Sequence, residues 1–137
     1  MLVDRYEGKR LNSPNDLVVK SDGTIWITDP PYGILSDREG AKRNSELEGN
    51  FVSRFDPDSG EFEIVVDSLD GPNGIAFSSD ESILYVADTG EPKNLVAFDV
   101  SPDGRLVSNK REFVCVRPGA SDGFRCDVLG NIWTSAG

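Results

Sequence analysis

The feature that constrains this 137-residue chain most is a pattern that occurs three times along it. Each copy has a polar Asn or Asp, a short run with apolar residues at alternating positions, a turn, and a second run with an aromatic residue. The copies begin at Ser13, Gly71 and Ser121, and the aromatic residues are Trp26, Tyr85 and Trp133. Alternating apolar residues around a turn are typical of a β-hairpin, and we expect the aromatic side chains to pack between neighbouring repeats.

A second pair of apolar runs follows each of the first two copies. Residues 50–56 turn at an Asp-Ser-Gly sequence into residues 61–66, and residues 95–99 turn at Pro-Asp-Gly into residues 105–107. The repeating unit is therefore four short strands, and no segment has the period and the caps of a helix. Four antiparallel strands per repeat predict an all-β fold, a β-propeller of four-stranded blades.

The spacing of the copies predicts how the chain is organised. We expect blades at about 13–70 and 71–118 and an incomplete blade at 119–137, with an insertion loop at 30–49. The chain would then hold about two and a half to three blades. A closed propeller has roughly 4–8 blades. We therefore expect a fragment of a ring, or a protomer that self-associates to cover its open blade faces.

The composition excludes several kinds of chemistry. The chain has no histidine and only two cysteines, so Ser-His-Asp and Cys-His nucleophiles, His-ligated metals and four-cysteine zinc or iron–sulfur sites are ruled out. A net charge of −10 with scattered basic residues argues against a nucleic-acid partner. Carboxylates, amides and hydroxyls remain, and these groups suit hard divalent cations.

The hydropathy pattern gives no sign of a membrane partner. No apolar run approaches the roughly 20 residues that cross a bilayer, and the charged first ten residues lack the apolar stretch of a signal peptide. We therefore expect a cytoplasmic location, with a periplasmic one as the alternative if the chain is truncated.

Three polar side chains, Asn15, Asn73 and Asp122, occupy the same place just before the first strand of each copy. Equivalent positions in successive blades surround one axis, so we expect these side chains to converge there. Two amide oxygens and a carboxylate suit Ca²⁺, Mg²⁺ or Mn²⁺. The alternative is that they cap a shared turn. Asp29 and Asp88 end the aromatic runs and are expected to be turn or edge residues.

Four segments give the chain a resemblance to a known family. They are Asn-Ser-Pro-Asn-Asp at 12–16, Thr-Asp-Pro-Pro-Tyr-Gly-Ile at 28–34, Gly-Pro-Asn-Gly-Ile at 71–75 and Asp-Gly-Phe-Arg at 122–125. Together they resemble the gluconolactonase, or senescence marker protein (regucalcin-like), family over almost the whole chain. The resemblance implies a six-bladed propeller that hydrolyses sugar-type lactones to open-chain hydroxy acids. It also implies one divalent cation in the channel, with Ca²⁺ favoured and Zn²⁺, Mn²⁺ and Mg²⁺ as alternatives.

Carried over residue by residue, the resemblance implies roles for three side chains. Asn73 and Asp122 match metal ligands, and Asp122 also matches the proposed general base. Asn15 matches a position that contacts metal, water or substrate. Tyr32, in the insertion loop, either lines the substrate entrance or packs the loop.

The sequence departs from the family pattern in two places. The remaining metal ligand of the family is a glutamate in a blade that this chain lacks, and Glu7 should not be mistaken for it because it lies in the strand leading to Asn15. Ser13 stands where some members have a substrate-binding arginine. The interpretation is therefore a metal-dependent lactone hydrolase; the alternatives are a non-enzymatic Ca²⁺-binding or protein-binding propeller, or an inactive fragment of the lactonase.

Overall fold

The computed structural model describes all 137 residues, and every regular element except one is a β-strand. The strands are β1 (Arg5–Tyr6), β2 (Lys9–Arg10), β3 (Leu17–Val19), β4 (Ile25–Asp29), β5 (Phe51–Phe55), β6 (Phe62–Val66), β7 (Pro72–Phe77), β8 (Ile83–Asp88), β9 (Asn94–Val100), β10 (Val107–Cys115), β11 (Ser121–Cys126) and β12 (Ile132–Ala136). The all-β prediction is therefore confirmed.

The strands form two antiparallel sheets of four strands and two hairpins. The first sheet has the order β3-β4-β5-β6 and the second has the order β7-β8-β9-β10, so strands that are adjacent in sequence are adjacent in space. Strands β11 and β12 form a third unit of two strands, and β1 pairs with β2. A sheet of four antiparallel strands in sequence order has the architecture of a propeller blade.

The one helix, α1 (Tyr32–Leu35), lies in the connection between β4 and β5 and was not predicted. It has four residues and no side-chain cap, which is too short for an apolar period to appear in the sequence. No helix of the protein has the length and apolar character needed to cross a membrane.

Five hairpin turns contain an aspartate whose carboxylate accepts a hydrogen bond from the backbone N–H two residues later. In the first sheet, Asp22 accepts from Thr24 N at 2.9 Å, and Gly23 between them has a φ of +87° that glycine adopts without strain. The same bond recurs at Asp56, Asp80, Asp103 and Asp127. These local bonds explain why the turns were visible in the sequence.

The main core lies between the first and second sheets. Trp26 on β4 is fully buried, and its ring meets Phe77 on β7 edge-on with the ring centroids 5.2 Å apart. The other buried members are Val52, Val66, Leu69, Ile75, Leu84, Val86, Val96 and Phe98. A smaller cluster between the second sheet and the third hairpin contains Ala76, Ala87, Leu95 and Phe124.

The three repeated aromatic residues have different surroundings. Trp26 packs between sheets as expected, and Tyr85 is half-buried beside the smaller cluster, 5.2 Å from the ring of Phe113. Trp133 is 70% exposed, because no strand of this chain covers that face of the third hairpin. The expected packing between repeats is therefore found for Trp26, in part for Tyr85, and not for Trp133.

The first strands of the three units lie side by side, because β7 contacts both β3 and β11. Gly74 on β7 lies close to the backbone of β11. A Cβ added at Gly74 would overlap the backbone carbonyl of Asp122 and lie 2.9 Å from the ring of Phe124. The glycine of the Pro-Asn-Gly sequence is therefore what allows the two strands to come this close.

Two buried carboxylates fix the loops that lead into β3 and β7. Asp29, at the end of β4, accepts hydrogen bonds from Asn12 N and Ser13 N, both at 2.7 Å. Asp88, at the end of β8, accepts the same pair of bonds from the two residues just before β7, at 3.0 and 2.8 Å. Both carboxylates are almost completely buried, so the expectation of turn or edge residues missed their role as internal anchors.

We expect Trp26→Ala to destabilise the fold by about 3–5 kcal/mol, because it removes the largest side chain between the two sheets and leaves a cavity. Trp133→Ala is the matched control at the equivalent repeat position. It should cost about 1 kcal/mol or less, since the ring is exposed and loses only its 3.1 Å hydrogen bond to Asp127. Urea unfolding measures both values, and equal losses would contradict the described packing.

The free energy of unfolding should also depend on pH because of the Asp29 carboxyl. Burial raises the pKa of its carboxyl to about 6, although the two backbone N–H donors and nearby Arg43 act to lower it. Because this value exceeds the roughly 3.9 of an unfolded aspartate, the folded state binds more protons between about pH 4 and pH 6. The stabilisation from this group is therefore full at low pH and is lost as the pH rises through 6.

The measurement is urea unfolding of the wild type and Asp29→Asn at pH 4, 5, 6 and 7. The stability of the wild type relative to the variant should fall by up to about 3 kcal/mol across this range. Asp58→Asn, at an exposed turn residue, is the control and should follow the wild type at every pH. A constant difference between wild type and Asp29→Asn would contradict the shifted titration.

Candidate functional site

Asn73 and Asp122 line one open cavity of about 420 Å³ between the second sheet and the third hairpin. Each is the second residue of the first strand of its unit, β7 and β11. The other lining residues are Thr89, Ala120, Ser121, Ser135 and Gly137. The structure thus brings two of the repeat-equivalent polar side chains together, and Asp122 is the only residue of the wall with a carboxylate side chain.

The side chain of Asn73 is buried, and its NH₂ group has a hydrogen-bond partner whereas its carbonyl oxygen has none. The residue is 7% exposed, and its Nδ2 lies 3.4 Å from Thr89 Oγ1. Its Oδ1 is buried and has no hydrogen-bond partner. An unpaired buried acceptor costs about 1–3 kcal/mol, so this oxygen is a place where an electropositive ligand would be favoured.

Asp122 has an exposed carboxylate that binds no other group of the chain, unlike the aspartates that form the hairpin-turn bonds described above. The turn aspartates accept backbone bonds, and Asp29 and Asp88 anchor loops, whereas the Asp122 side chain forms neither a hydrogen bond nor an ion pair. Its two oxygens are therefore available to a cation, a water molecule or a substrate in the cavity.

Asn15, the third side chain of the predicted set, does not line this cavity. It is exposed, and its backbone N–H donates to Thr28 O at 2.9 Å. The fully buried Thr28 in turn donates from Oγ1 to the backbone carbonyl of Asn73 at 2.7 Å. Asn15 is thus linked to the position of Asn73 through one intervening residue.

Tyr32 also lies outside the lining of the cavity but contacts a residue in its wall. Its hydroxyl lies 2.6 Å from Thr89 Oγ1, so it joins α1, in the connection between β4 and β5, to the residue that follows β8. Ser13, at the position of the family's arginine, donates from Oγ to Pro30 O at 2.5 Å and accepts from Gly33 N at 3.0 Å. Ser13 therefore fastens the loop that carries Tyr32.

Glu7 lies in the turn between β1 and β2, with a φ of +47°, and not within a strand as the sequence suggested. It lines a different cavity, beside Phe51 and Ile64. Glu7 therefore adds no oxygen to the set formed by Asn73 and Asp122.

The sequence interpretation missed Asp16, which ties the three units together. Its Oδ2 accepts a hydrogen bond from Ile75 N at 3.2 Å and lies 3.5 Å from Nη1 of Arg125. The second and third copies have Gly74 and Gly123 at this position, so a comparison of the copies gives no signal for it. The carboxylate helps to hold β7 and β11 in the register that creates the cavity.

The donor set is small and consists of oxygen atoms. No group of three or more His, Cys, Asp or Glu side chains could hold a metal ion. Of the residues that line the cavity, Asn73 has a buried amide oxygen without a partner and Asp122 has a free carboxylate. These are ligands for a hard divalent cation. A larger cavity of about 560 Å³, between the second sheet and the third hairpin, has mainly apolar walls and no carboxylate.

Known proteins resemble the chain in sequence over its full length. The family described as SMP-30/Gluconolactonase/LRE-like region matches residues 1–137. The gluconolactonase of Zymomonas mobilis is 35% identical over 144 residues, covering 99% of this chain and 40% of the relative. Lactonohydrolase oryH of Aspergillus oryzae is 34% identical over 139 residues, covering 85% of this chain and 29% of the relative.

Solved structures agree with this likeness. A gluconolactonase from Xanthomonas campestris superimposes with a TM-score of 0.93 at 44% identity, covering 98% of this chain and 44% of that protein. Regucalcin from Agrobacterium tumefaciens, described as a calcium-binding protein, has a TM-score of 0.69 at 22% identity and shares the fold alone. The superposition covers 90% of this chain and 38% of the regucalcin chain. The chain thus spans less than half the length of these relatives and forms part of a β-propeller.

The resemblance inferred from the Pro-Asn-Gly-Ile and Asp-Gly sequences is confirmed, because the family match extends from Met1 to Gly137. The cavity formed by Asn73 and Asp122 lies at the strands that carry these two sequences. The chain belongs to the SMP-30/gluconolactonase/LRE-like family.

Proposed function

We propose that this protein hydrolyses a sugar-type lactone to the open-chain hydroxy acid and uses one divalent cation. Family membership and the relatives named gluconolactonase and lactonohydrolase support the reaction class. The observation that carries the proposal is the orphaned Asn73 Oδ1 in the wall that also holds the free carboxylate of Asp122.

Asn73 Oδ1 and the Asp122 carboxylate would hold the cation, and Asn15 would contact the metal, water or substrate from the segment that leads into β3. An amide oxygen and a carboxylate are hard ligands, and a site built from them favours Ca²⁺, with Mg²⁺, Mn²⁺ and Zn²⁺ as the other candidates. Two protein oxygens leave room in the coordination shell for water and for the substrate carbonyl.

A divalent cation at this place would act as a Lewis acid that polarises the lactone carbonyl. Asp122 is the only residue of the wall with a carboxylate side chain, and we assign to it the proton transfers. Its carboxylate takes one proton from the attacking water, and the ring C–O bond then breaks. The proton passes from Asp122 to the departing ring oxygen, which becomes the hydroxyl of the product, so Asp122 ends unchanged.

Tyr32 belongs to the substrate side of this proposal. Its hydroxyl contacts Thr89, so the 30–49 loop reaches the end of the second sheet at this residue. From there its ring would help to line the substrate entrance.

The experiments described below distinguish this function from two alternatives. A propeller that binds Ca²⁺ or a protein partner without hydrolysis would use the same oxygens or the 30–49 loop, and the calcium-binding regucalcin shares this fold. An inactive fragment would bind neither cation nor lactone, because blade architecture alone does not determine function.

We expect Asp122→Ala in the full-length protein to lower kcat for opening of gluconolactone about 100-fold or more, since general-base catalysis contributes 10²–10⁴-fold. Acid release in a pH-stat measures the rate. Asp58→Ala, at an exposed turn aspartate, is the matched control and should keep wild-type turnover. Unchanged turnover in Asp122→Ala would contradict the assignment of the base, and Ca²⁺ binding without hydrolysis of any lactone in a panel would favour the non-enzymatic alternative.

We expect Asn73→Ala to weaken Ca²⁺ binding about tenfold or more, because it removes the orphaned oxygen, and tenfold in affinity is about 1.4 kcal/mol. Isothermal titration calorimetry with CaCl₂ measures the dissociation constant. Asn73→Asp keeps an oxygen at this place and should retain binding, and Asn44→Ala, at an exposed asparagine, should have no effect. Wild-type affinity in Asn73→Ala would remove Asn73 from the cation site.

A further inference from the structure

The hydroxyl of Thr89 has a complete set of hydrogen-bond partners at the wall of the cavity. It donates to Gly71 O at 3.2 Å, and it lies 2.6 Å from the Tyr32 hydroxyl and 3.4 Å from Asn73 Nδ2. A threonine hydroxyl has one proton to give and two lone pairs to accept with. The three partners therefore use the whole capacity of this oxygen.

The count of protons sets the direction of each bond. The carbonyl of Gly71 can only accept, so it takes the single proton of Thr89 Oγ1. Tyr32 must then donate its own proton to Thr89, and the third partner of Thr89 must also be a donor. Asn73 meets this demand only with its NH₂ group, because its carbonyl oxygen would face a lone pair.

The orientation of the Asn73 amide follows from this network. With Nδ2 turned to Thr89, Oδ1 is the atom left without a partner, and it is the oxygen that a cation needs. A carboxamide has nearly equal shape in its two orientations, so packing alone would not separate them. The flipped amide would present N–H donors where the cation is expected.

The segment around Thr89 has little freedom to move. Thr89 N donates to Gly71 O at 2.9 Å, and Gly71 N donates to the buried carboxylate of Asp88 at 2.8 Å. A Cβ added at Gly71 would overlap the Tyr32 hydroxyl, so the glycine leaves the space that the hydroxyl fills. The 30–49 loop thus reaches the wall of the cavity through one hydroxyl.

We propose that Thr89 is a positioning residue that holds the Asn73 amide with its oxygen free for the cation, and that Tyr32 supports it by donating its proton. The inference rests on the proposed cation site and adds the device that orients one of its ligands. It gives the 30–49 loop a second role, because the position of Tyr32 then affects cation affinity without direct contact with the ion.

The first test compares three proteins by calorimetric titration with CaCl₂. Thr89→Val has nearly the shape of threonine but accepts no bond, so the amide can turn and Ca²⁺ affinity should fall about fivefold to tenfold. Thr89→Ser keeps the hydroxyl and should stay within about twofold of the wild type. Wild-type affinity in Thr89→Val, together with lost binding in Asn73→Ala, would overturn this inference and leave the proposed function standing.

The second test separates orientation from general damage by a double-mutant cycle. A carboxylate presents oxygen in either orientation, so an Asn73→Asp background needs nothing to orient it. Thr89→Val should therefore change Ca²⁺ affinity less than twofold in that background. An equal loss in both backgrounds would assign Thr89 a merely structural role and overturn the inference.

Tyr32→Phe provides a test that leaves the cavity wall intact. It removes the proton donated to Thr89 but keeps the ring, and we expect a twofold to fivefold loss of Ca²⁺ affinity with only a small fall in the melting temperature of the cation-free protein from the lost hydrogen bond. If Thr89→Val does not fold, this variant and its cycle with Asn73→Asp decide the question. Wild-type Ca²⁺ affinity in Tyr32→Phe would overturn the part of the inference that concerns Tyr32.

If none of the variants, Asn73→Ala included, changes Ca²⁺ binding, the failure lies with the proposed cation site and not with Thr89 alone.

Discussion

The arrangement of this chain depends on the close approach of β7 to β11. Gly74 has no side chain at the point where the backbone carbonyl of Asp122 lies, and this contact brings Asn73 and Asp122 to the same cavity. From the other side, Asp16, just before β3, and Thr28 on β4 bind the backbone of β7 at Ile75 and Asn73. Strand β7 is thus held by both neighbours, and these contacts fix the position of the Asn73 backbone beside the cavity.

Much of this arrangement could be predicted from the sequence because its causes are local or repeat. Alternating apolar residues and Asp-Gly turns act within a few residues, and they indicated the hairpins and the four-strand unit. The register of the three copies indicated that Asn73 and Asp122 would lie near each other, and they line one cavity. Asn15 lies outside that cavity even though the same register includes it, because the cavity opens between the second and third units only.

The remaining features could not be predicted because they join residues far apart with no repeated pattern. The Tyr32–Thr89 contact spans 57 positions and the Asp16–Arg125 pair spans 109. Helix α1 has a single turn, which gives no period to detect. The burial of Asp29 and Asp88 was also missed, since an aspartate after a strand is usually read as a turn residue, and only the fold shows that each binds two N–H groups of an incoming loop.

The different surroundings of Trp26 and Trp133 have an optical consequence. One indole is enclosed in the apolar core and the other stands in solvent, so their fluorescence should emit at shorter and longer wavelengths respectively. The long-wavelength emission will shift towards the blue when another protein surface, such as that of a second copy, covers Trp133 on the third hairpin. The molecule therefore contains its own reporter of blade-to-blade docking, separate from the reporter of unfolding that Trp26 provides.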